Sequence, residues 1–324
     1  MKNIVKQEIP NKPTYMKYNI ITLFCLVILF SFGCISNPKD KSNPKKLVFA
    51  VIPSDDLTAT VHSAENFSKF LEKKLGMKVD FYKAIDYTAV IEAMKAGKVQ
   101  IARFGPFSYV LASKKAGAEA IVAVGEKEGV FHSYYSLILT NAKSKIKSMD
   151  DLKENVNKLS LSFVDPASAS GHLIPRGYLT SIGLDPEKSF KQVVFSSSHA
   201  ASLLTLITGR VDVAAANNFS LRRLVENGKV KYSDFNILWQ SEPIIPDPTC
   251  VQKDISPALK QKIADAFIAL PKEAPEIWKE YVRYEYKGDP AADNYIYIPS
   301  NDSLYNPIRK IFDQIDIEKY KAGK

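Results

Sequence analysis

Short apolar runs alternate with helix-length amphipathic segments along most of this chain, and this alternation restricts the possible folds more than any other feature. The run 47–53 has the length of a buried strand, whereas residues 59–75 place their apolar side chains on one helical face and stop at Gly76. The same alternation begins again near Asn141. Such a pattern is typical of an α/β protein with mainly parallel strands. The sequence therefore predicts two α/β units, the number expected for 324 residues at about 100 to 200 residues per domain.

Two extended apolar segments, 134–140 and 235–246, connect the two units and have the character of paired hinge strands. They divide the chain into lobe 1, formed by 47–138 plus 245–324, and lobe 2, formed by 139–244. In open α/β sheets ligands lie at the carboxyl ends of the strands, where strand-to-helix turns meet. We therefore predict a two-lobed fold with two crossover strands and a ligand in the cleft between the lobes.

The N-terminal segment has the features of an export signal. Residues 20–32 form an apolar run of signal-peptide length, which predicts a signal peptide over 1–33; an uncleaved membrane anchor is the alternative. A small residue before Cys34 resembles a bacterial lipoprotein processing site, so we expect Cys34 to be lipidated. The segment 34–46, rich in Lys, Pro, Asn and Ser, is the expected flexible tether. Only Cys250 would then lie in the folded body, where no disulfide is expected.

Composition and charge argue against several classes of function. The chain is 46% apolar and 24% charged, as soluble globular proteins are, and its formal net charge is +9. The basic residues are scattered without an aromatic-basic repeat, so nucleic acid is not an expected partner. The chain has only four histidines and no clustered metal-ligand spacing or nucleotide-binding motif, so we expect neither a metal nor a cofactor.

The turn 165–175 carries the clearest signal for a binding site. Ser168 and Ser170 flank a small residue, and Gly171 precedes an apolar helix at the end of a strand. Backbone N–H groups at a helix N-terminus, together with two hydroxyls, form a cradle for an anion. A serine N-cap without a ligand is the alternative. No Lys or Arg lies within the cradle, so we expect the cleft to hold its ligand with uncharged donors.

Catalysis is a further class of function to weigh against ligand binding. His199 and Ser170 with Asp165 or Asp212 could be drawn as a catalytic triad. No G-x-S-x-G motif surrounds the serines of the cradle, however, so we predict no catalytic residue and no enzyme.

Four segments of the sequence resemble a known protein family. They are DPASASGHLIPR, which contains the cradle, and residues 86–112, 196–218 and 244–248. Together they resemble the phosphonate and phosphite substrate-binding proteins of bacterial ABC transporters, and the likeness extends from Leu47 to about Leu270. It implies the type II periplasmic-binding-protein fold, closure around one phosphorus oxyanion, and delivery of that ligand to an ABC permease in the inner membrane. A monomer is expected for this architecture.

The resemblance also implies which residues bind the ligand. The seven residues are Tyr87, Tyr134, Ser168, Ala169, Ser170, His199 and Asp247. Ala169 stands where some family members have a hydroxyl residue. The phenols of Tyr87 and Tyr134 and the imidazole of His199 would donate to the anion; a solvent-facing tyrosine and a capping histidine are the ordinary alternatives. Of the other histidines, His172 is expected beside the cradle, and His62 and His132 on the surface or behind the pocket.

Asp247 would accept a proton-bearing oxygen of the ligand. A phosphite or phosphonate monoanion, with a second pKa near neutrality, can donate a P–O–H bond to a carboxylate, whereas sulfate cannot at physiological pH. Asp247 would therefore exclude sulfate. The alternative is an aspartate that caps a turn before Pro248.

One departure from the family pattern narrows the ligand. Members that bind aminoethylphosphonate carry an acidic residue shortly after the strand that corresponds to 211–218, whereas here Asn217 and Asn218 lead to Phe219. We therefore favour phosphite or methylphosphonate. The alternative is a binder of aminoethylphosphonate, a sulfonate or a vitamin precursor on the same fold. The sequence thus predicts a lipid-anchored substrate-binding protein of the cell envelope, in the periplasm or at the outer face of the cytoplasmic membrane.

Overall fold

The computed structural model describes residues 42–53, 55 and 57–315. The predicted signal peptide, Cys34 and most of the tether lie outside these residues. Among the residues described, no helix combines the length and the apolar character that a membrane span requires.

Eleven strands lie within the described residues: β1 (Lys46–Val51), β2 (Lys78–Lys83), β3 (Ile101–Arg103), β4 (Ala118–Glu126), β5 (Ser136–Asn141), β6 (Ser160–Phe163), β7 (Gln192–Phe195), β8 (Val213–Asn217), β9 (Phe235–Gln240), β10 (Pro248–Gln252) and β11 (Tyr295–Pro299). The same part of the chain forms eleven α-helices: α1 (Leu57–Leu75), α2 (Tyr87–Lys95), α3 (Pro106–Ala116), α4 (Met149–Asn155), α5 (Ile174–Ser181), α6 (Pro186–Ser189), α7 (His199–Ile207), α8 (Asn218–Glu226), α9 (Pro257–Glu273), α10 (Pro275–Glu285) and α11 (Asn306–Gln314). A π-helical turn, Ala169–Leu173, leads directly into α5.

The strands form two mixed sheets. The six-stranded sheet has the order β11-β4-β10-β3-β1-β2; β1 runs parallel to β2 and β3, whereas β10 and β11 are antiparallel to their neighbours. The five-stranded sheet has the order β7-β6-β8-β5-β9, with β6 parallel to both neighbours and β5 antiparallel to both. The expectation of mainly parallel strands is therefore wrong for the part of each sheet that contains the returning strands. A buried apolar run has the same composition in either direction, so the sequence pattern does not distinguish them.

The two predicted crossover segments run side by side. β5 and β9 pair antiparallel, with Leu137 opposite Gln240. Beyond this pair Tyr134 and Ile244 form an isolated antiparallel bridge, in which the Tyr134 N–H donates to the Ile244 carbonyl at 3.2 Å and the Ile244 N–H donates back at 2.8 Å. The crossovers therefore bring Tyr134 and the segment before β10 to the same place between the sheets.

Helix caps fix two of the expected site residues at the first positions of their helices. Asp86 is the N-cap of α2, and its Oδ1 accepts the Ala89 N–H at 2.7 Å, which leaves Tyr87 as the first helical residue. Ser198 caps α7 in the same way, so that His199 opens that helix. Both helices follow a strand, as expected for a cleft lined by strand-to-helix turns.

Candidate functional site

A cavity of about 100 Å³ lies between the two sheets and is lined from both sides. We call it the cleft cavity. All seven residues proposed from the sequence line it: Tyr87, Tyr134, Ser168, Ala169, Ser170, His199 and Asp247. At about 30 Å³ per water in the liquid, its volume is that of a few water molecules, which suits a small oxyanion better than a drug-sized ligand.

The serine-rich turn is buried and held in shape by its own hydrogen bonds. The Ser168 hydroxyl accepts the Gly171 N–H at 3.0 Å, and the Ser136 hydroxyl donates to the Ser170 carbonyl at 2.6 Å. Ser168 and Ser170 are each 2% exposed. Asp165 fixes the start of the turn, because its Oδ1 accepts the Ala167 N–H at 2.7 Å. Ser168 thus acts as an N-cap and also lines the cleft cavity, so the capping alternative and the binding role are not exclusive.

Gly171 allows the turn to approach the end of β6. A Cβ atom at this position would lie 2.4 Å from both Cβ and Cγ2 of Val164, and 3.0 Å from Cε1 of His199. Backbone packing this close leaves no room for a side chain. The glycine therefore brings the cradle and the first turn of α7 into contact.

The two tyrosines reach the cradle from the other side of the cavity. The side chain of Tyr87 interacts with that of Ser168, and the side chain of Tyr134 with that of Ser170. Burial raises the pKa of both phenols, with a further contribution from the nearby charge of Asp247, so both stay protonated as possible donors. The alternative of solvent-facing tyrosines is excluded, since Tyr87 and Tyr134 are each 7% exposed.

His199 is a buried neutral imidazole beside the cradle. Burial lowers its pKa to about 4, and the charge of Arg223 lowers it further against the opposing effect of Asp55. Its Nδ1 atom has no hydrogen-bond partner among the described residues. An unpaired buried polar atom costs about 1 to 3 kcal/mol, so this nitrogen is a site where a ligand atom would be favoured.

Asp247 lies just before β10 and faces an arginine. Its Oδ2 is 3.5 Å from Nη2 of Arg103, and the same nitrogen donates to Oε1 of Glu285 at 3.0 Å. Burial raises the pKa of Asp247 to about 6, and Arg103 limits that rise while Glu285 adds to it. At pH 7, about one unit above this pKa, Asp247 is therefore mostly ionised.

The cavity wall carries charged residues beyond the expected uncharged donors and Asp247. Arg103 and Arg223 line the cavity, as do Asp55 and Glu285. Nη2 of Arg223 donates to Oδ2 of Asp55 at 2.5 Å, and its Nη1 lies 3.5 Å from Oε2 of Glu285. We refer to these four residues and Asp247 as the arginine–carboxylate cluster. Both guanidinium groups contact carboxylates through their Nη atoms, whereas Nε of Arg223 is buried without a hydrogen-bond partner among the described residues.

Part of the cluster was accessible to sequence reasoning and part was not. Arg103 is the last residue of β3, and Asp55 lies in the turn between β1 and α1, so the rule that strand-to-helix turns line the cleft points to both. Glu285 comes from the end of α10, far along the chain, and no local pattern identifies it. Arg223 lies inside α8, where a basic residue ordinarily faces solvent.

An aromatic wall formed by His132, Phe219 and Tyr134 lines one part of the cavity. His132 stacks on Phe219 with ring centroids 5.0 Å apart, and Phe219 stacks on Tyr134 at 5.6 Å. His132 is 8% exposed and lines the cavity itself. It therefore lies neither on the surface nor behind the pocket, the two places expected for it. His172 is buried beside the cradle as expected, accepting from Nε of Arg176 at 2.8 Å.

The alternative triad is only partly assembled. Asp212 accepts from the Ser160 N–H at 2.8 Å at the start of β6, the end of the strand away from the cradle, and it does not line the cavity. Among the described residues no group of three or more His, Cys, Asp or Glu side chains is arranged to hold a metal ion.

The chain is similar to characterised transport proteins. Residues 49–294 match the family model described as "ABC transporter, phosphonate, periplasmic substrate-binding protein". The phosphonates-binding periplasmic protein of Escherichia coli K12 is 29% identical over 263 residues, 81% of this chain and 77% of that protein. The phosphate-import protein PhnD of Mycolicibacterium smegmatis is 29% identical over 263 residues, 77% of this chain and 81% of that protein.

A solved structure supports the same relationship. The binding-protein component of an ABC phosphonate transporter from Pseudomonas aeruginosa superposes with a TM-score of 0.71 and 27% identity, over 83% of this chain and 86% of that one. The two mixed sheets and the cavity between them are accordingly the two-lobed periplasmic-binding-protein fold, and the predicted lobe limits within it stay a prediction. The chain belongs to the family of periplasmic substrate-binding proteins of phosphonate ABC transporters.

Proposed function

We propose that this protein captures phosphite or methylphosphonate in the cleft cavity and delivers it to an ABC permease as a monomeric lipoprotein without catalytic activity. The observation that carries the proposal is the composition of the cavity wall: neutral hydroxyl donors, a buried imidazole nitrogen without a partner, and one incompletely neutralised carboxylate around a volume of about 100 Å³. A small tetrahedral monoanion fits these groups because it offers acceptor oxygens and one O–H donor.

The donors come from both sides of the cavity. Ser168 and Ser170 would donate from the cradle, and Tyr87 and Tyr134 from the facing side, where their phenols already contact those serines. The N-terminus of the turn that carries the serines favours negative charge by its backbone dipoles. His199 would complete the set with its Nδ1 atom.

Asp247 would select the protonated oxyanion. Its pKa of about 6 lies close to the second pKa of a phosphorus oxyanion, about 6 for a phosphate monoester, so one proton is readily shared between ligand and carboxylate. A charge-assisted O–H···O bond of this kind is short and strong. Sulfate and sulfonates carry no such proton and would meet like-charge repulsion instead.

The substituent on phosphorus would be small and uncharged. The wall on that side includes Phe219 and His132, which present rings instead of a carboxylate. The cavity carboxylates Asp55 and Glu285 are paired with Arg223 and Arg103, so neither is available to an ammonium group without breaking an ion pair. This supports hydrogen or methyl over aminoethyl.

Calorimetric titration at pH 7 tests the proposal. The purified protein is titrated with phosphite, methylphosphonate, aminoethylphosphonate, phosphate, sulfate and methanesulfonate; we expect the first two to bind most tightly. Asp247→Asn should weaken phosphite and methylphosphonate by at least about tenfold, because a hydrogen bond to a charged group contributes about 1.5 to 3 kcal/mol. Asp254→Asn, at an exposed residue after β10, is the matched control and should change nothing. Failure of every phosphorus oxyanion to bind would refute the proposed ligand class, and tighter binding of sulfate or a sulfonate would favour the alternative.

Lipidation has a separate test. Cys34→Ala should release the protein from membranes into the soluble fraction and abolish incorporation of labelled fatty acid. Retention at the membrane would favour an uncleaved anchor.

A further inference from the structure

Arg103 is placed beside Asp247 by the register of the six-stranded sheet. Arg103 at the end of β3 pairs with Thr249 of the antiparallel β10, and Asp247 stands two residues before Thr249. Asp247 lies just outside β10, so the pairing of β3 with β10 brings it close to Arg103 at the edge of the sheet. Their side chains approach to 3.5 Å between Nη2 of Arg103 and Oδ2 of Asp247.

Arg103 divides its charge between two carboxylates. Its Nη2 donates to Glu285 at 3.0 Å and lies 3.5 Å from Asp247, while its guanidinium stacks over the ring of Tyr281 at 5.1 Å. The side chains of Arg103 and Glu285 are 15% and 16% exposed, and that of Asp247 is 26% exposed. The three groups thus interact in a poorly solvated place, where charges affect one another strongly.

The arginine–carboxylate cluster contains more acids than bases. Three carboxylates, Asp55, Asp247 and Glu285, face two guanidinium groups, Arg103 and Arg223, which leaves one negative charge without a partner. Asp55 and Glu285 each have a closer guanidinium contact than Asp247 has. The uncompensated charge, and any proton that neutralises it, therefore belongs to Asp247.

The remaining titratable groups around Asp247 are neutral. They are side chains whose pKa burial raises: Tyr87, Tyr134, Tyr286, Tyr305 and Cys250. Arg103, Arg223 and Glu285 are thus the charged groups that set the ionisation of Asp247.

We propose that Arg103 is a positioning residue that keeps Asp247 ionised, so that Asp247 accepts a proton-bearing ligand oxygen and rejects a fully deprotonated one. The inference rests on the proposed function, since it gives Asp247 the role of ligand acceptor. Without Arg103, Asp247 would be protonated at neutral pH and would donate to the ligand. The site would then accept sulfonates. Arg103 therefore determines the discrimination between phosphorus and sulfur oxyanions without touching the ligand.

The pH dependence of methanesulfonate binding measures this role. Methanesulfonate brings no proton, so it should bind only the fraction of protein in which Asp247 is protonated. For the unmodified protein, with an Asp247 pKa of about 6, affinity at pH 7 should be about one tenth of that at pH 5. Loss of an adjacent opposite charge raises a carboxyl pKa by about 1 to 3 units, so in Arg103→Gln this ratio should rise roughly five- to tenfold. Arg103→Lys should keep the original ratio because it retains the charge.

A purely structural role for Arg103 predicts a different result. In that case the variant would bind all ligands more weakly at every pH, and the ratio of methanesulfonate affinity at pH 7 to that at pH 5 would not change. Because the lost positive charge lowers the affinity at both pH values, its general effect cancels in this ratio. The measurements end at pH 5 because His199 begins to be protonated below that pH. If Arg103→Gln does not fold, Arg103→Gln with Glu285→Gln removes the charge together with its closest partner. Because Glu285 itself raises the pKa of Asp247, the ratio should rise in this double variant by less than in Arg103→Gln.

Methylphosphonate distinguishes this inference from the proposed function. The unmodified protein should bind it best between the pKa of Asp247 and the second pKa of the ligand, and the optimum should move to higher pH in Arg103→Gln. If the unmodified protein binds no phosphorus oxyanion, the proposed function fails. If it binds methylphosphonate but both pH profiles are unchanged in Arg103→Gln and the double variant, the role of Arg103 is refuted and the proposed function stands.

Discussion

Replacing Asp247 by asparagine should stabilise the ligand-free protein while it weakens ligand binding. The folded protein raises the pKa of Asp247 from 3.8 to about 6, chiefly by burial. A carboxyl whose pKa is raised by folding destabilises the folded state at a pH above that value, because the buried group must carry its charge there. This cost is absent below about pH 4, grows between pH 4 and pH 6, and is complete at higher pH.

The expected size follows from the shift. About 2 units at 1.36 kcal/mol each give about 3 kcal/mol at pH 7, and this net shift already includes the attraction of the carboxylate to Arg103. Arg103 itself keeps Glu285 at 3.0 Å, so the substitution leaves no guanidinium unpaired. Asp247→Asn should therefore be more stable than the unmodified protein at pH 7 and equal to it at pH 4.

Urea unfolding without ligand, followed by far-UV circular dichroism at pH 4.5, 6 and 7.5, measures this difference. The stability gain should increase with pH, and Asp254→Asn should show no gain at any pH. An Asp247→Asn protein that is less stable at pH 7.5, or whose gain does not depend on pH, would contradict the assignment of an uncompensated charge to Asp247.

Three further substitutions probe the packing around the cradle. Gly171→Ala should lower stability by about 1 to 3 kcal/mol and weaken methylphosphonate binding, because its Cβ would lie 2.4 Å from Val164; an unchanged melting temperature and affinity would contradict the close packing. Arg176→Met should cost about 1 to 3 kcal/mol in urea unfolding, since the 1% exposed Arg176 donates to Glu187 at 2.7 Å, and a neutral result would show that this ion pair contributes nothing. Burial lowers the pKa of His199 from 6.5 to about 4. Between these pH values the imidazole is protonated in the unfolded chain but not in the folded one, so the free energy of unfolding should fall by about 3 kcal/mol as the pH is lowered from 6.5 to 4. His199→Gln should remove this part of the acid sensitivity in unfolding experiments at pH 7 and 4.5; an unaltered pH dependence would place the imidazole in solvent.

The parts of the site that follow from local pattern were predictable from sequence. Tyr87 and His199 open helices directly after strands, and Ser168 stands in a turn whose glycine is required by close packing. Each of these positions is marked by a cap, a glycine or a change from strand to helix. The family resemblance was nevertheless what singled out Tyr87, Tyr134, His199 and Asp247 as site residues, and the places of Tyr134 and Asp247 depend on the crossovers.

The electrostatics of the site were not predictable in the same way. Glu285 reaches Arg103 from a helix about 180 residues further along, and Arg223 meets Asp55 from the opposite sheet. Pairing over such separations leaves no periodicity in the sequence. The lack of Lys and Arg in the cradle therefore does not predict which charged residues tertiary packing brings to the cavity.

Hydrogen bonds between the two lobes limit how much free energy a ligand can contribute to closure of the cleft. Asp55, from the turn after β1, accepts both the Arg223 guanidinium and the Ala200 N–H at 2.8 Å, and both of these donors belong to helices that pack on the other sheet. Such bonds connect the two lobes whatever occupies the cavity. A ligand shifts the equilibrium only by interactions that differ between the open and closed forms. In the proposed function those interactions are a proton shared with Asp247 and a bond to the His199 nitrogen that has no protein partner, so the ligand that closes the cleft best is one that supplies both a donor and an acceptor.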